Sequence, residues 1–243
     1  MAHLNINSIR NKIDMLADLI SGKVDILLIS ETKIDGSFPP AQFFIQGFSE
    51  PYRRDRTKNG GGLLLYVSEN IPSRRIPSPC VEGNNESVFV EINLYKKKWI
   101  VGGTYNPSKL STQNHINYLS KCLDSFVSYY DNILLLGDFN CEPTDDVITD
   151  FCQSYNLKNL IKNPTCFKNV DNPSCIDLIL TNRHRSFENN VTIETGLSDF
   201  HHMTVSILKT FFRKLPPKII SYRNFSKCSP GDLKKDIQIN VID

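Results

Sequence analysis

Short apolar runs recur along the chain, and their length and composition indicate β-strands. They are rich in Val, Ile, Tyr and Phe, as strands are. The runs cover residues 24–29, 63–67, 88–94, 99–104, 133–136, 176–180 and 203–208. Residues 133–136 are apolar throughout, which predicts a strand covered on both faces. Residues 88–94 place Val and Ile at every second position, between Phe89, Glu91 and Asn93, which predicts a half-buried strand.

Helical spacing of apolar residues appears in other segments. One stripe runs over residues 9–20, with Ser8 placed to cap the helix, and the clearest stripe runs over residues 116–130. A shorter helix is predicted over residues 145–155 with Thr144 as its N-cap. Because strands outnumber helices, we predict an α/β fold in which two sheets pack face to face with helices outside them.

The length and composition fit one large globular domain. The chain has 243 residues, 40% of them hydrophobic and 22% charged, a size that forms a core without a metal or disulfide. Its seven cysteines are scattered without a CxxC pair, which favours reduced thiols over a zinc site. No apolar run approaches the roughly 20 residues that span a bilayer, and the N-terminus does not resemble a signal peptide, so no membrane association is expected.

The charge is unevenly distributed along the chain. The net charge is +2, but residues 208–243 contain eight Lys or Arg against three Asp, which leaves about −3 on the remainder. A slightly acidic body binds polyanions poorly unless local basic loops or a bound cation assist it. We therefore divide the chain into a domain over residues 1–208 and a basic, proline-containing linker over residues 209–243.

Polar residues lie at the ends of the predicted strands. Each such residue alone is as well explained by a turn or a solvated strand end, but strand ends converge on one edge in layered α/β folds. Asp177 is the hardest to dismiss, because a carboxylate between Ile176 and Leu178 is costly to bury unless it is paired. The set comprises Asn5, Asn7, Glu31, Tyr105, Asn106, Asp138, Asn140, Asp177, Asp199, His201 and His202.

These residues lie in motifs that resemble those of the endonuclease/exonuclease/phosphatase superfamily. Within that superfamily the chain is similar to the apurinic/apyrimidinic-type endonucleases of non-LTR (LINE-like) retrotransposons, and the resemblance covers residues 2–208. The motifs are LNINS (4–8), ISETK (29–33), GTYNPS (103–108), LLGDFN (135–140), CIDLILTN (175–182) and LSDFHH (197–202). Their order and spacing make the set specific, although no single motif is strong.

The resemblance implies a DNase I-like fold, a four-layer α/β sandwich of two mixed sheets flanked by helices. It also implies a divalent-metal site at Glu31 and Asn5, with Asp199 near the metal. Oxygen ligands of this kind suit Mg²⁺, with Mn²⁺ as an alternative. The expected reaction is hydrolysis of a phosphodiester, in which the metal neutralises charge in the transition state.

The catalytic roles implied by the resemblance fall on further positions. Asp138 and Asn140 resemble the pair that orients and deprotonates the attacking water. Asp177 and His201 resemble the pair that faces the scissile phosphate, and Tyr105 resembles a tyrosine that hydrogen-bonds the phosphate or the leaving oxygen.

The chain departs from the family pattern at two positions. Phe200 interrupts the usual Ser-Asp-His motif, so either His201 or His202 can hold the catalytic place; we favour His201, because His202 would begin the last strand. Asn7 stands where repair enzymes often carry Asp, which weakens a second metal site and specificity for abasic DNA.

The basic loop over residues 52–62, which ends in three glycines, is the expected DNA contact. Arg and Lys in such loops meet backbone phosphates, although a solvated loop with hinge glycines explains the composition equally well. Lys109 and Asn106 lie near motifs and are further candidates. The predicted substrate-binding set is Lys33, Arg53, Arg54, Arg56, Lys58 and Asn106.

We therefore expect a metal-dependent endonuclease that nicks duplex DNA at the target site of a retrotransposon. A reverse transcriptase is expected to follow in a longer polypeptide. The DNA substrate implies that the protein acts in the nucleus, and a cytoplasmic location is the alternative. Two alternatives remain open at this point. One is a phosphatase or phosphodiesterase of the same fold acting on another substrate, and the other is an inactive retroelement remnant that only binds.

Overall fold

Strands dominate the computed structural model, which describes residues 1–80, 85–107, 110–209 and 231. Within these residues the strands are β1 (Ala2–Asn5), β2 (Ile26–Ser30), β3 (Tyr52–Arg54), β4 (Leu63–Val67), β5 (Ser73–Ile76), β6 (Glu86–Leu94), β7 (Lys97–Tyr105), β8 (Asn132–Asp138), β9 (Lys158–Asn159), β10 (Asp177–Thr181), β11 (Phe187–Ile193) and β12 (Met203–Leu208). The α-helices are α1 (Ile13–Ile20), α2 (Thr112–Phe126) and α3 (Asp146–Ser154).

The strands form two mixed sheets of six strands each in the described part of the chain. The first sheet has the order β11-β12-β1-β2-β4-β3, and the second has the order β5-β6-β7-β8-β10-β9. In the first sheet β1 and β2 are parallel, and in the second β7 and β8 are parallel. The two parallel pairs lie at the centre of their sheets, so their carboxyl ends can meet where the sheets face each other.

The sheets pack face to face with helices outside them, which confirms the predicted four-layer sandwich. Alternation along β2 shows how the layers are made. Leu27 and Ile29 belong to the core that also contains Leu16 and Ile20 of α1, whereas Leu28 belongs to the core shared with the second sheet. Both faces of the central strand are therefore buried.

The prediction of a half-buried strand over residues 88–94 was wrong, because both faces of β6 are covered. Phe89 packs against Phe126 of α2 with ring centroids 5.0 Å apart. Glu91 is only 6% exposed, and its carboxylate accepts hydrogen bonds from Arg74 at 2.8 Å and Tyr130 at 2.7 Å. A polar residue that is paired in this way does not mark a solvent-facing side.

The apolar runs located every inner strand except β1 and missed β3, β5, β9 and β11, which are the edge strands of the two sheets. Edge strands keep one side toward solvent and carry charged residues that discourage pairing with other chains. β5, for example, contains Arg74 and Arg75. Such strands lack the apolar signal on which the prediction relied.

The predicted helix caps were also wrong. α1 begins at Ile13 rather than near residue 9, and Lys12 stands at its N-cap without a side-chain hydrogen bond. Ser8 instead adopts a left-handed backbone with φ +86°, because its N–H donates to Glu31 O at 2.7 Å. α3 has Asp145 at its N-cap rather than Thr144.

The chain divides into one unit over Met1–Phe211 and a second over Phe212–Asp243. The predicted linker lies outside the described residues from position 210 onward, apart from Gly231, and remains a prediction. Within the described residues, no helix combines the length and apolarity needed to cross a membrane.

Gly137, which precedes Asp138 on β8, should be indispensable to the second sheet. A Cβ at this position would lie 1.9 Å from the carbonyl oxygen of Thr104, whereas a Cβ at Gly36 would meet nothing within 4 Å. We predict that Gly137→Ala lowers the free energy of unfolding by about 1–3 kcal/mol or more, and that Gly36→Ala changes it by less than about 0.5 kcal/mol. Urea denaturation of both variants checks this, and equal midpoints would contradict it.

Candidate active site

A row of polar residues crosses the second sheet at one register position. Glu86 pairs with Tyr105, Tyr105 pairs with Asp138, and Asp138 pairs with Asp177 on neighbouring strands. Residues that pair laterally project from the same face of a sheet. This face meets the first sheet, so the row brings three carboxylates and a phenol to one rim of the sandwich.

Both oxygens of Asp138 are held by neighbouring groups. Asn5, at the end of β1, donates its side-chain N–H to Oδ2 at 2.9 Å, and the backbone N–H of Asn140 donates to Oδ1 at 2.9 Å. Burial raises the pKa of Asp138 to about 7, and repulsion from Asp177 acts in the same direction. His201 and the two hydrogen bonds lower it and limit the shift.

Asp177 and His201 form the closest carboxylate–imidazole pair of the site. Nδ1 of His201 lies 2.8 Å from Oδ2 of Asp177, which is fully buried. Burial alone lowers the pKa of His201, but its hydrogen bonds to Asp177 and Cys166 and the charge of the carboxylates outweigh burial and raise this pKa to about 11. His201 is therefore an imidazolium at neutral pH.

His202 is directed elsewhere and does not pair with Asp177. Its ring stacks on Phe167 with centroids 4.1 Å apart and an interplanar angle of 26°. Of the two adjacent histidines, His201 is the one that the structure brings to the carboxylates.

Sequence reasoning missed His3, which lies behind the Asp–His pair. Its side chain is fully buried, with Nδ1 3.5 Å from Oδ1 of Asp177 and Nε2 3.0 Å from Oγ of Ser30. Burial lowers the pKa of His3 to about 4, although attraction to Asp177 opposes the shift. The signal available in the sequence was a histidine inside a short apolar strand, two residues before Asn5.

Glu31 lies in a strained segment that follows β2. Glu31 and Lys33 both have φ +54°, a left-handed conformation that costs a non-glycine residue about 1–2 kcal/mol. The surrounding backbone holds the segment on two sides: Ile9 N–H donates to Thr32 O at 3.1 Å, and Lys33 N–H donates to Gly61 O at 2.9 Å. Strain of this kind is characteristic of functional sites.

Tyr105 connects Glu31 to the row on the second sheet. Its hydroxyl donates to Oε1 of Glu31, and Nζ of Lys33 lies 3.7 Å from Oε2 of the same carboxylate. Burial, followed by the hydrogen bond to Glu31, raises the pKa of Tyr105 above its ordinary value. The phenol therefore remains protonated, and its O–H is available as a hydrogen-bond donor.

Asp199 reaches the site through Asn7. Nδ2 of Asn7 donates to Oδ2 of Asp199 at 2.6 Å, and the side-chain oxygen of Asn7 accepts from Lys33. The backbone N–H of Asn7 also donates to Oδ1 of Asn5 at 3.2 Å. Asn7 thus ties the predicted metal residues Asn5 and Asp199 together, while Asp199 itself is exposed.

Asn106 and Asn140 brace the loop that follows β8. Nδ2 of Asn140 donates to Asn106 O at 2.7 Å, and Nδ2 of Asn106 donates to Phe139 O at 2.9 Å. Asn106 is only 1% exposed, and within the described residues its buried Oδ1 has no hydrogen-bond partner. Asn106 therefore supports the loop from inside the protein and is not exposed at the surface of the site.

These side chains surround a cleft of about 570 Å³. One wall comes from the loop between residues 166 and 174, which sequence reasoning did not assign to the site. The lining residues are Asn5, Glu31, Tyr105, Asp138, Asn140, Cys166, Lys168, Asn169, Asn172, Ser174, Ile176 and His201.

The chemistry of the cleft fits a divalent cation. Glu31 and Asn5 contribute a carboxylate and an amide oxygen to the cleft, and the carboxylates of Asp138 and Asp177 belong to one cluster near them. Oxygen-rich sets of this kind favour hard cations over soft ones.

Two arginines of the basic loop form ion pairs within the domain, which the sequence analysis did not predict. Arg53 pairs with Asp55 at 2.8 Å, and Arg56 pairs with Glu86 at 2.5 Å. Lys58 remains half exposed, 4.0 Å from Asp35. Arg54 belongs to β3 and is partly buried, and Lys109 lies outside the described residues.

Glu86 explains why three glycines follow this loop. Its carboxylate is 3% exposed and accepts the N–H of Gly62 at 2.5 Å in addition to Arg56. Gly62 has φ +92°, and a Cβ there would lie 2.3 Å from Oγ1 of Thr32. The glycines let the chain approach the Glu31 segment closely, so they support the site rather than act as a hinge.

Comparison with known proteins identifies the fold. A search of curated protein sequences gives no match, whereas residues 2–199 match the model described as the Endonuclease/Exonuclease/phosphatase family. The endonuclease domain of TRAS1, a telomere-specific non-LTR retrotransposon, is similar with a TM-score of 0.67 and 14% identity over 86% of this chain and 97% of that one.

Two further solved structures share the fold. A 3′-5′ exonuclease from Neisseria meningitidis has a TM-score of 0.68 and 13% identity, covering 86% of this chain and 99% of that one. An AP endonuclease from Archaeoglobus fulgidus has a TM-score of 0.65 and 17% identity, covering 86% and 98%. Since the family match spans most of the 243 residues and the sandwich agrees with it, the chain belongs to the endonuclease/exonuclease/phosphatase family.

Proposed function

We propose that this protein is a divalent-metal-dependent endonuclease that hydrolyses phosphodiester bonds in duplex DNA and leaves a nick. The observation that carries the proposal is the gathering of Asp138, Asn140 and His201 in one cleft with Glu31 and Asn5. Their combination supplies a base, a cationic donor and oxygen ligands, which are the groups that phosphodiester hydrolysis requires.

Asp138 is the proposed base for the attacking water. Asn5 and the backbone of Asn140 hold the orientation of its carboxylate, and the side chain of Asn140 is positioned to fix the water. His201 donates its Nε2 hydrogen to a phosphate oxygen, because Nδ1 is occupied by Asp177. A protonated imidazole stabilises the charge that develops on the phosphate.

Glu31 and Asn5, with Asp199 held nearby through Asn7, are the residues that we propose hold Mg²⁺ or Mn²⁺. When bound, the cation neutralises charge on the phosphate and thereby lets an acidic cleft accept DNA. The Tyr105 hydroxyl donates to Glu31 at the edge of this site. When DNA is bound, we propose that it donates to the phosphate or the leaving oxygen instead.

DNA contacts are proposed for the basic residues around the cleft. Lys33 lies beside Glu31, and Lys58 has the exposure needed to reach a backbone phosphate. Arg53 and Arg56 could contribute only with the part of the guanidinium that their ion pairs leave available. Asn106 acts through the loop that it braces, and Arg54 on β3 is a further phosphate contact in this proposal.

A role in retrotransposition is the biological setting that we propose. It is supported by the ordered motifs and by the likeness in fold to the TRAS1 domain. In this setting the protein nicks target DNA in the nucleus and cooperates with a reverse transcriptase in a longer polypeptide. A phosphatase acting on a non-nucleic-acid substrate is the main rival, and plasmid substrates separate the two.

The first prediction is metal-dependent nicking of supercoiled plasmid. We expect open-circular product with Mg²⁺ and none with chelator, and Asp138→Asn should reduce the rate at least about 10²-fold because it removes the base while keeping the side-chain size. Asp150→Asn, an exposed helix position, should leave the rate unchanged. A gel assay measures all three, and Mg²⁺-independent cleavage or an active Asp138→Asn enzyme would refute the assignment.

The second prediction separates the adjacent histidines. His201→Ala should abolish nicking, because the Asp177 carboxylate loses its partner and the phosphate loses a cationic donor. His202→Ala should retain most activity, since its ring stacks on Phe167 and does not pair with Asp177. Initial nicking rates of the two variants, with folding checked by circular dichroism, give the answer. The reverse order of activities would show that the catalytic place belongs to His202.

The third prediction concerns salt. Binding to a DNA duplex should weaken as salt increases, and Lys58→Ala should make the slope of log affinity against log salt shallower by about 1, the effect of one lost phosphate contact. Lys23→Ala, a cation at the end of α1 whose Nζ bonds Leu19 O, is the matched control and should keep the wild-type slope. Fluorescence anisotropy measures the slopes, and a flat response in the wild type would argue against phosphate contacts.

A further inference from the structure

His3 and Asp177 each bury one polar atom that lacks a hydrogen-bond partner among the described residues. These atoms are Nδ1 of His3 and Oδ1 of Asp177. They lie 3.5 Å apart, and both side chains are completely shielded from solvent. Because water cannot reach either atom, the other is the partner that remains.

The hydroxyl of Ser30 is the hydrogen-bond partner of the other ring nitrogen of His3. This hydroxyl lies 3.0 Å from Nε2 of His3, and Ser30 is fully buried at the end of β2. A hydroxyl can donate to an unprotonated imidazole nitrogen. If Ser30 donates to Nε2, the hydrogen of the neutral ring is on Nδ1, where it faces the carboxylate.

We propose that His3 is a positioning residue for the reaction: its Nδ1–H donates to Oδ1 of Asp177 and thereby directs Oδ2 of the same carboxylate toward His201. The inference rests on the proposed function for its catalytic consequence. It describes a chain of contacts that runs from Ser30 through His3 and Asp177 to His201, in which only His201 touches the substrate.

The fold gives His3 a task that its neighbours cannot perform. The carboxylate of Asp177 can turn about its Cβ–Cγ bond unless its oxygens are held. The neighbouring Thr165 hydroxyl does not hold it, because it accepts the backbone N–H groups of residues 176 and 177. His3 is on β1 in the first sheet, and Asp177 is on β10 in the second. The imidazole therefore locks the carboxylate across the interface between the sheets.

The tautomer of His3 tests this inference in the unmodified full chain. In protein with ¹⁵N-labelled histidine, long-range proton–nitrogen spectra report which ring nitrogen carries hydrogen, and the spectrum of His3→Asn assigns the signal of His3 among the five histidines. We expect hydrogen on Nδ1. Hydrogen on Nε2 alone would overturn the proposal, because an unprotonated Nδ1 would then face the carboxylate.

Paired variants test the consequence for catalysis. The amide of His3→Asn can keep a donor near the position of Nδ1, whereas His3→Leu keeps bulk without a donor. We expect His3→Leu to lower kcat for plasmid nicking by about 10–100-fold, the usual effect of losing a residue that orients a functional group, with KM within roughly twofold. His3→Asn should recover most of kcat and keep the ring signals of His201, which His3→Leu should shift.

The outcomes distinguish this inference from the proposed function. Equal losses in the two variants with unchanged His201 signals would show that His3 only fills space. If the wild-type protein nicks no DNA, the proposed function fails, while the tautomer of His3 and the His201 signals still decide whether the positioning contact exists. If His3→Leu does not fold, the tautomer and the Asn variant decide the question.

Discussion

The register of the second sheet is the constraint on which the site depends. Parallel pairing of β7 with β8 and antiparallel pairing of β8 with β10 align Tyr105, Asp138 and Asp177 side by side. A slip of one residue in either pair would turn a functional side chain to the helix-covered face. The hydrogen bond from Asn5 to Asp138 then joins this row to the first sheet, so the site exists only where both sheets meet.

Burial of several ionisable groups at this junction is tolerated because almost every group has a partner. Asp177 is compensated by His201, Asp138 by two hydrogen bonds, and Glu86 by Arg56 and a backbone N–H. Removing a single partner from such a network leaves a charge or polar atom buried in the low-dielectric interior without compensation, which destabilises the fold. The same partners set the protonation states, since they keep His201 charged and Tyr105 protonated. Stability and reactivity are thus controlled by one set of contacts.

Family membership and the exact substrate depend on different parts of the molecule. The strand ends carry the carboxylates and the imidazole of the cleft, whereas the loop over residues 166–174 forms one of its walls. The basic loop illustrates how composition can mislead, because Arg53 and Arg56 serve ion pairs within the domain. Loops vary more readily than the strands that support them.

The sequence alone determined most of the inner strands, the α/β class and six of the twelve residues that line the cleft, because apolar runs and ordered polar motifs are local signals. The edge strands, the caps of α1 and α3 and the burial of Glu91 were decided by tertiary contacts, which override local preference. The contacts of His3 and Glu86 could not be predicted from the sequence either. A polar residue inside an apolar strand acquires a partner only when two sheets fold together, and no spacing along the chain specifies which atoms will face each other across that interface.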